Sequence, residues 1–113
     1  MNGIYVMYFT GAAGSGEGLI LLKDGILAGA DGGGVLYDGT YKISEDGENL
    51  AGSISVNVPP GVGLVTGATA GSEPLKFELP LSLPTSLGEG RSLTIRTPTG
   101  PLNIIFKRLR SIE

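Results

Sequence analysis

Apolar and polar side chains alternate along most of this chain, and no stretch sustains the helical period of about 3.6 residues. The alternation is clearest after an acidic turn at residues 44–48. There Leu50, Ile54, Val56 and Val58 share one side with Gly52, while Ala51, Ser53, Ser55 and Asn57 take the other. That is the pattern of a strand with one wet face. Leu75, Phe77 and Leu79 alternate with Lys76 and Glu78, and Leu93 and Ile95 with Ser92, Thr94 and Arg96. Residues 3–10 are apolar on both sides, as expected of a strand buried on two faces or shared with a partner.

The chain is organised around residues 16–41, which read as three short strands joined by two glycine-containing turns. Asp24-Gly25 is the dipeptide that supplies the positive φ angles of a type I′ hairpin. Asp31 with Gly32, Gly33 and Gly34 turns the chain again, and Val35, Tyr37, Tyr41 and Ile43 then fall on one face with Gly39 between them. Strands are predicted over 3–10, 16–23, 26–30, 35–43, 50–58, 75–79, 92–96 and 102–109. Residues 11–15 read as a flexible linker, Pro59-Pro60 and Pro80 as strand ends, and 81–87 as a connection in which one helical turn fits after Pro84. The uncharged stretch 61–71 has neither period and reads as an ordered apolar loop or lid, with a poor strand as the alternative.

A meander of this length exposes two bare edges unless it closes on itself. The expected fold is all-β: a single domain over 1–113, a small antiparallel up-and-down, lipocalin-like β-barrel of about eight strands. A two-sheet sandwich is the runner-up.

Composition then limits the chemistry. At 113 residues the chain makes one core, and 41% apolar against 17% charged residues excludes disorder. The net charge of −3 offers no basic footprint, so direct nucleic-acid binding is not expected. The absence of cysteine removes disulfides and thiolate chemistry, and the absence of histidine removes the commonest general base and zinc ligand. No window reaches the roughly 18 apolar residues of a membrane helix. The apolar run at residues 4–13 lacks the basic flank of a signal peptide, so a cytoplasmic location without membrane contact is expected.

Candidate motifs are weak. The glycine-rich residues 11–18 lack the Lys and Ser or Thr of a phosphate loop, since Glu17 follows Gly16. Residues 61–67 have the wrong glycine spacing for a dinucleotide site. Asp24, Asp31 and Asp38 sit beside glycine, where turns favour them, and form no calcium loop. Glu17 and Glu78 are the carboxylate pair considered for acid–base work, yet both fall on solvent-facing positions. Tyr5, Tyr8, Tyr37 and Tyr41 suit strand walls and core, and Lys107, Arg108 and Arg110 form a modest basic tail on a strand end. No catalytic, metal or cofactor site is expected, and an enzyme is not. Glu45, Asp46 and Glu48 offer a negative field that selects basic partners.

Asn2-Gly3-Ile4-Tyr5, Gly16-Glu17-Gly18, Lys23-Asp24-Gly25, Gly29-Ala30-Asp31 and Tyr37-Asp38-Gly39-Thr40-Tyr41 together resemble the GrlR-like family over roughly the first half of the chain. The resemblance implies a small β-barrel with an apolar interior and a loop near one end. It also implies a homodimeric negative regulator of type III secretion genes that binds a transcriptional activator and keeps it from DNA. An acidic surface motif of alternating Glu and Asp is tied to that interaction in the family. Here Glu45, Asp46 and Glu48 fall at the corresponding place as partner-binding candidates, with Gly47 replacing one acidic residue. The predicted barrel, its inward apolar sets and the 61–71 loop as a gate carry the alternative reading, a carrier or sensor of a small apolar ligand.

Overall fold

The computed structural model describes residues 2–112. Eight strands follow one another: β1 (Gly3–Gly11), β2 (Gly14–Lys23), β3 (Ile26–Asp31), β4 (Leu36–Ile43), β5 (Asn49–Val58), β6 (Leu75–Pro84), β7 (Glu89–Thr97) and β8 (Gly100–Ser111). All ladders are antiparallel and belong to one sheet of order β6-β5-β4-β3-β2-β1-β8-β7. Pairing of β1 with β8 brings the two ends of the meander together, so the sheet curls into a nearly closed barrel. Among the described residues a single seam, between β6 and β7, carries no ladder. The two short axes of the molecule are equal at 22 Å, as for a cylinder. The sandwich alternative is thereby set aside.

The period-two pattern explains the burial. Tyr5, Met7 and Phe9 on β1, Ile20 and Leu22 on β2, and Ile104 and Phe106 on β8 point inward and are buried. Between them, outward residues such as Val6, Leu19 and Lys107 line up in one row across β1, β2 and β8. Ile43, on the same face as Tyr37 and Tyr41, is 44% exposed at the last residue of β4, beyond Thr40, where the β3 ladder ends.

Turn chemistry sets the register. Asp24 (φ 50°) and Gly25 (φ 85°) both take left-handed conformations, as the type I′ hairpin requires. Asn2 locks this end of the barrel: its Nδ2 donates to Asp24 Oδ1 at 2.9 Å, and the Asp24 N–H donates back to Asn2 Oδ1 at 3.0 Å. Three expectations are corrected. Residues 11–15 form no linker, because β1 and β2 pair down to Gly11 and Gly14 across a two-residue turn. Pro80 does not stop β6, which continues to Pro84 and pairs with β5 throughout. After Pro84 the chain makes two tight turns and no helix, Leu87 N–H donating to Pro84 O and Glu89 N–H to Ser86 O, both at 3.1 Å. Proline is tolerated in β6 because that strand lies at the seam, where an N–H has no ladder to join.

A diagonal of inward glycines bends the wall. Gly52, Gly39, Gly29 and Gly18, on β5, β4, β3 and β2, are displaced by two residues from strand to strand. A Cβ at any of them would collide with backbone of the adjacent strand, such as the Thr40 carbonyl at Gly52 and the Ala30 carbonyl at Gly18. Close strand approach and tight coiling on this side of the barrel therefore depend on glycine.

Candidate functional site

The two ends of the barrel are built differently. At one end the β2–β3, β4–β5 and β6–β7 turns converge on a solid plug of Tyr5, Leu22, Leu50 and Leu87, all essentially inaccessible to solvent. The other end carries the β1–β2, β3–β4 and β7–β8 turns and the long β5–β6 connection, residues 59–74. That connection folds back on itself: Leu64 N–H donates to Ala68 O at 2.7 Å, Ala70 N–H to Val62 O at 2.9 Å, and Gly63 bridges Thr69. It then reaches across the mouth. The Ala13 N–H on the β1–β2 turn donates to Val65 O at 2.6 Å, and Thr66 Oγ1 donates to Thr99 Oγ1 on the β7–β8 turn at 3.0 Å. Val62, Leu64 and Val65 pack on the core below. The stretch expected as a loop, lid or poor strand is a lid with one bridge.

Beneath the lid lies a cavity of about 610 Å³. Its floor is Met7, Leu27, Leu83 and Phe106; its walls include Ile20, Ile54, Ile95 and Leu102; Leu64 and Val65 roof it. Space arises because eight strands enclose more than their side chains fill. Pro80 and Ser82 on β6 and Thr94 and Arg96 on β7 also line it, so the cavity reaches the seam.

Few polar side chains point inward, and they gather at the lidded end. Asp31, the last residue of β3, accepts the Gly33 and Val35 N–H groups through Oδ1 at 2.9 and 3.2 Å. Its Oδ2 accepts the Tyr37 hydroxyl at 2.8 Å. Burial, reinforced by that hydrogen bond and by the Asp31 charge, holds the Tyr37 proton far above the ordinary tyrosine range. On the β7–β8 side three threonines form a chain. Thr97 Oγ1 donates to Gly100 O at 2.7 Å, which leaves Thr99 as donor in its 3.1 Å contact with Thr97, and Thr66 as donor to Thr99. Ser15, Glu17, Ser82, Thr94 and Arg96 occupy outward, exposed positions and meet the cavity only at its rim and seam.

The partner-binding candidates lie at the plugged end. Glu45, Asp46 and Glu48 are all exposed on the β4–β5 turn. Asp46 is occupied in shaping that turn: Oδ1 accepts the Ser44 hydroxyl and, at 2.9 Å, the Glu48 N–H. Those two donors, the hydroxyl first, hold its carboxyl below the usual range. Thr85 pins the turn from β6–β7, its N–H donating to Glu48 O at 2.9 Å and its Oγ1 to Gly47 O at 2.8 Å. Glu17 and Glu78 are not brought together; they lie outward on β2 and β6 with three strands between. Glu78 accepts instead from Ser55 Oγ at 3.2 Å. Among the described residues no group of His, Cys, Asp or Glu could hold a metal ion, and no helix is long and apolar enough to cross a membrane.

Against models of protein families, curated proteins and solved structures, the chain shows no significant match.

Sequence reasoning placed Asp31 in a turn and Tyr37 in the wall, and it missed that the two meet. The available signal was the placement of Asp31 and Tyr37 at inward positions flanking a glycine turn.

Proposed function

We propose that this protein is a non-enzymatic binding barrel that holds one small apolar ligand beneath the 59–74 lid. The observation that carries the reading is the 610 Å³ apolar cavity, which falls within the range of about 300–1,000 Å³ typical of small-molecule sites. The lid favours the same reading. It is tied to two hairpins by single hydrogen bonds, so it can lift without breaking a ladder. Titration with Nile red, a neutral dye that brightens in apolar surroundings, tests this directly. Saturable binding of one dye per barrel is expected, abolished by Ile95→Trp with the far-ultraviolet spectrum preserved. Absence of saturable binding to the unaltered protein sinks the proposal.

A regulatory role through the acidic turn is the second reading, favoured by three exposed carboxylates on a turn that Asp46 and Thr85 hold in one shape. Such a rigid negative patch suits a basic protein partner, and the GrlR-like resemblance makes that partner a transcriptional activator. Alanine at Glu45, Asp46 and Glu48 together should abolish salt-sensitive capture of the activator; unchanged capture defeats the idea. The homodimer implied by the same resemblance would use the outer wall of β1 to β4. Val6, Leu19, Ala30 and Leu36 form one row there, with Leu19 49% and Leu36 52% exposed. Sedimentation of Leu19→Lys beside the unaltered chain separates dimer from monomer.

A further inference from the structure

The polarity of the cavity's hydrogen bonds tells more about the ligand than its volume does. Hydroxyl groups donate one proton each, and a donor already committed to a partner presents only lone pairs to a newcomer. Tyr37 gives its proton to Asp31 Oδ2. Across the mouth, the hydroxyl protons of Thr66, Thr99 and Thr97 all run one way, ending on the Gly100 carbonyl. The direction of that chain is fixed by its end, because a carbonyl can only accept.

Both clusters therefore turn the same kind of atom to the cavity. Tyr37 Oη and Thr66 Oγ1 keep unused lone pairs, and Asp31 adds a carboxylate with its second oxygen at the wall. No inward residue among these offers a free donor. Arg96, the one cationic side chain among the described residues that touches the cavity, belongs to the outward face of β7 and meets it at the seam. A carboxylate head placed under the lid would face lone pairs and a like charge. A donor head would meet acceptors on two sides and one full negative charge.

We propose that the ligand is an apolar molecule carrying a cationic, hydrogen-bond-donating head, an alkyl ammonium rather than a fatty acid, with the head held at the lidded end by Asp31, Tyr37 and Thr66. This rests on the binding-barrel reading above and names the class of ligand for that cavity.

The test is displacement of Nile red by dodecylamine, dodecanol and dodecanoic acid, each kept below its critical micelle concentration. Charge-assisted hydrogen bonds exceed neutral ones by enough to predict that the amine displaces the dye at concentrations about tenfold below the acid, with the alcohol between. Asp31→Asn sharpens the result. The amide oxygen still accepts from Gly33 and Val35, but its NH2 now donates to Tyr37 Oη, whose hydroxyl proton is released toward the cavity. The amine preference should then vanish or invert while Nile red still binds. Should Asp31→Asn fail to fold, Thr66→Val removes the other acceptor with little change of shape and should reduce the amine preference by a few fold.

An acid that competes as well as the amine on the unaltered protein overturns the head-group assignment and leaves the cavity reading intact. An amine preference that survives Asp31→Asn unchanged overturns the role of Asp31. Failure of Nile red and all three amphiphiles to bind overturns the cavity reading itself, a result that the first two outcomes cannot imitate.

Discussion

Tyr37 and Asp31 meet through a single 2.8 Å hydrogen bond at the boundary between a turn and a hollow, and that bond serves both. It completes the set of donors around a carboxylate that shapes the β3–β4 turn, and it fixes which atoms the cavity presents.

Tyr37→Phe should cost about 1.5–3 kcal/mol in urea unfolding, the range for a lost hydrogen bond to a charged group. The pH dependence has a definite sign. The folded state keeps the Tyr37 proton to higher pH than the unfolded state, whose tyrosine releases it near 10.0. Above that pH the folded chain holds more protons, so stability falls as pH rises. The contribution is full below pH 10 and declines above it. Urea midpoints across the alkaline range should show this decline in the unaltered protein and a shallower one in Tyr37→Phe.

Gly52→Ala should be among the most damaging small substitutions in the chain. Its added methyl meets the Thr40 carbonyl and the Tyr41 backbone of β4, and overpacking of that kind costs about 3 kcal/mol. Gly71→Ala is the control: no atom lies within 4 Å of the position its Cβ would take. Its midpoint should stay within about 0.5 kcal/mol of the unaltered chain.

Leu87→Ala removes a fully buried side chain from the plug. A loss of about 3 kcal/mol is expected in chemical unfolding. Nile red affinity, in contrast, should hold under native conditions, because Leu87 does not line the cavity. Coupled loss of both would mean that plug and cavity are one cooperative unit.

Native-state hydrogen exchange should rank the strands. The free edges of β6 and β7 have no ladder partner across the seam, so their seam-facing amides should exchange well before those of β1 and β2, which are paired on both sides. Bound ligand should slow exchange in the lid and at the seam together if the cavity is occupied.

The strands were legible because period-two patterning survives wherever one face is dry, as at Leu50 to Val58. Asp24-Gly25 announced its hairpin for an equally local reason. What sequence could not convey were consequences of closure. Pro80 looked like a strand end because a proline in a central strand would be one; only the seam gives β6 a side on which a missing N–H is harmless. The inward glycines had no legible purpose until their diagonal crossed four strands. The cavity was legible only as a possibility of the barrel, since alternation is the same in a filled barrel and a hollow one. Asp31 and Tyr37 each obeyed a local rule, and neither rule says that their side chains touch.

The seam carries one more consequence. The only neighbours in the strand cycle that do not pair are β6 and β7, which are also consecutive in the chain. Meanwhile Asn2 and Ile112 stand side by side, the Ile112 N–H donating to Asn2 O at 3.0 Å. A permuted chain that begins at β7 and finishes at β6, with the original termini linked, would therefore cut no ladder. Its β1–β8 pairing would change from a contact spanning the whole chain to a local hairpin. Loop closure would become cheaper, and such a chain should fold faster than its parent while enclosing the same hollow.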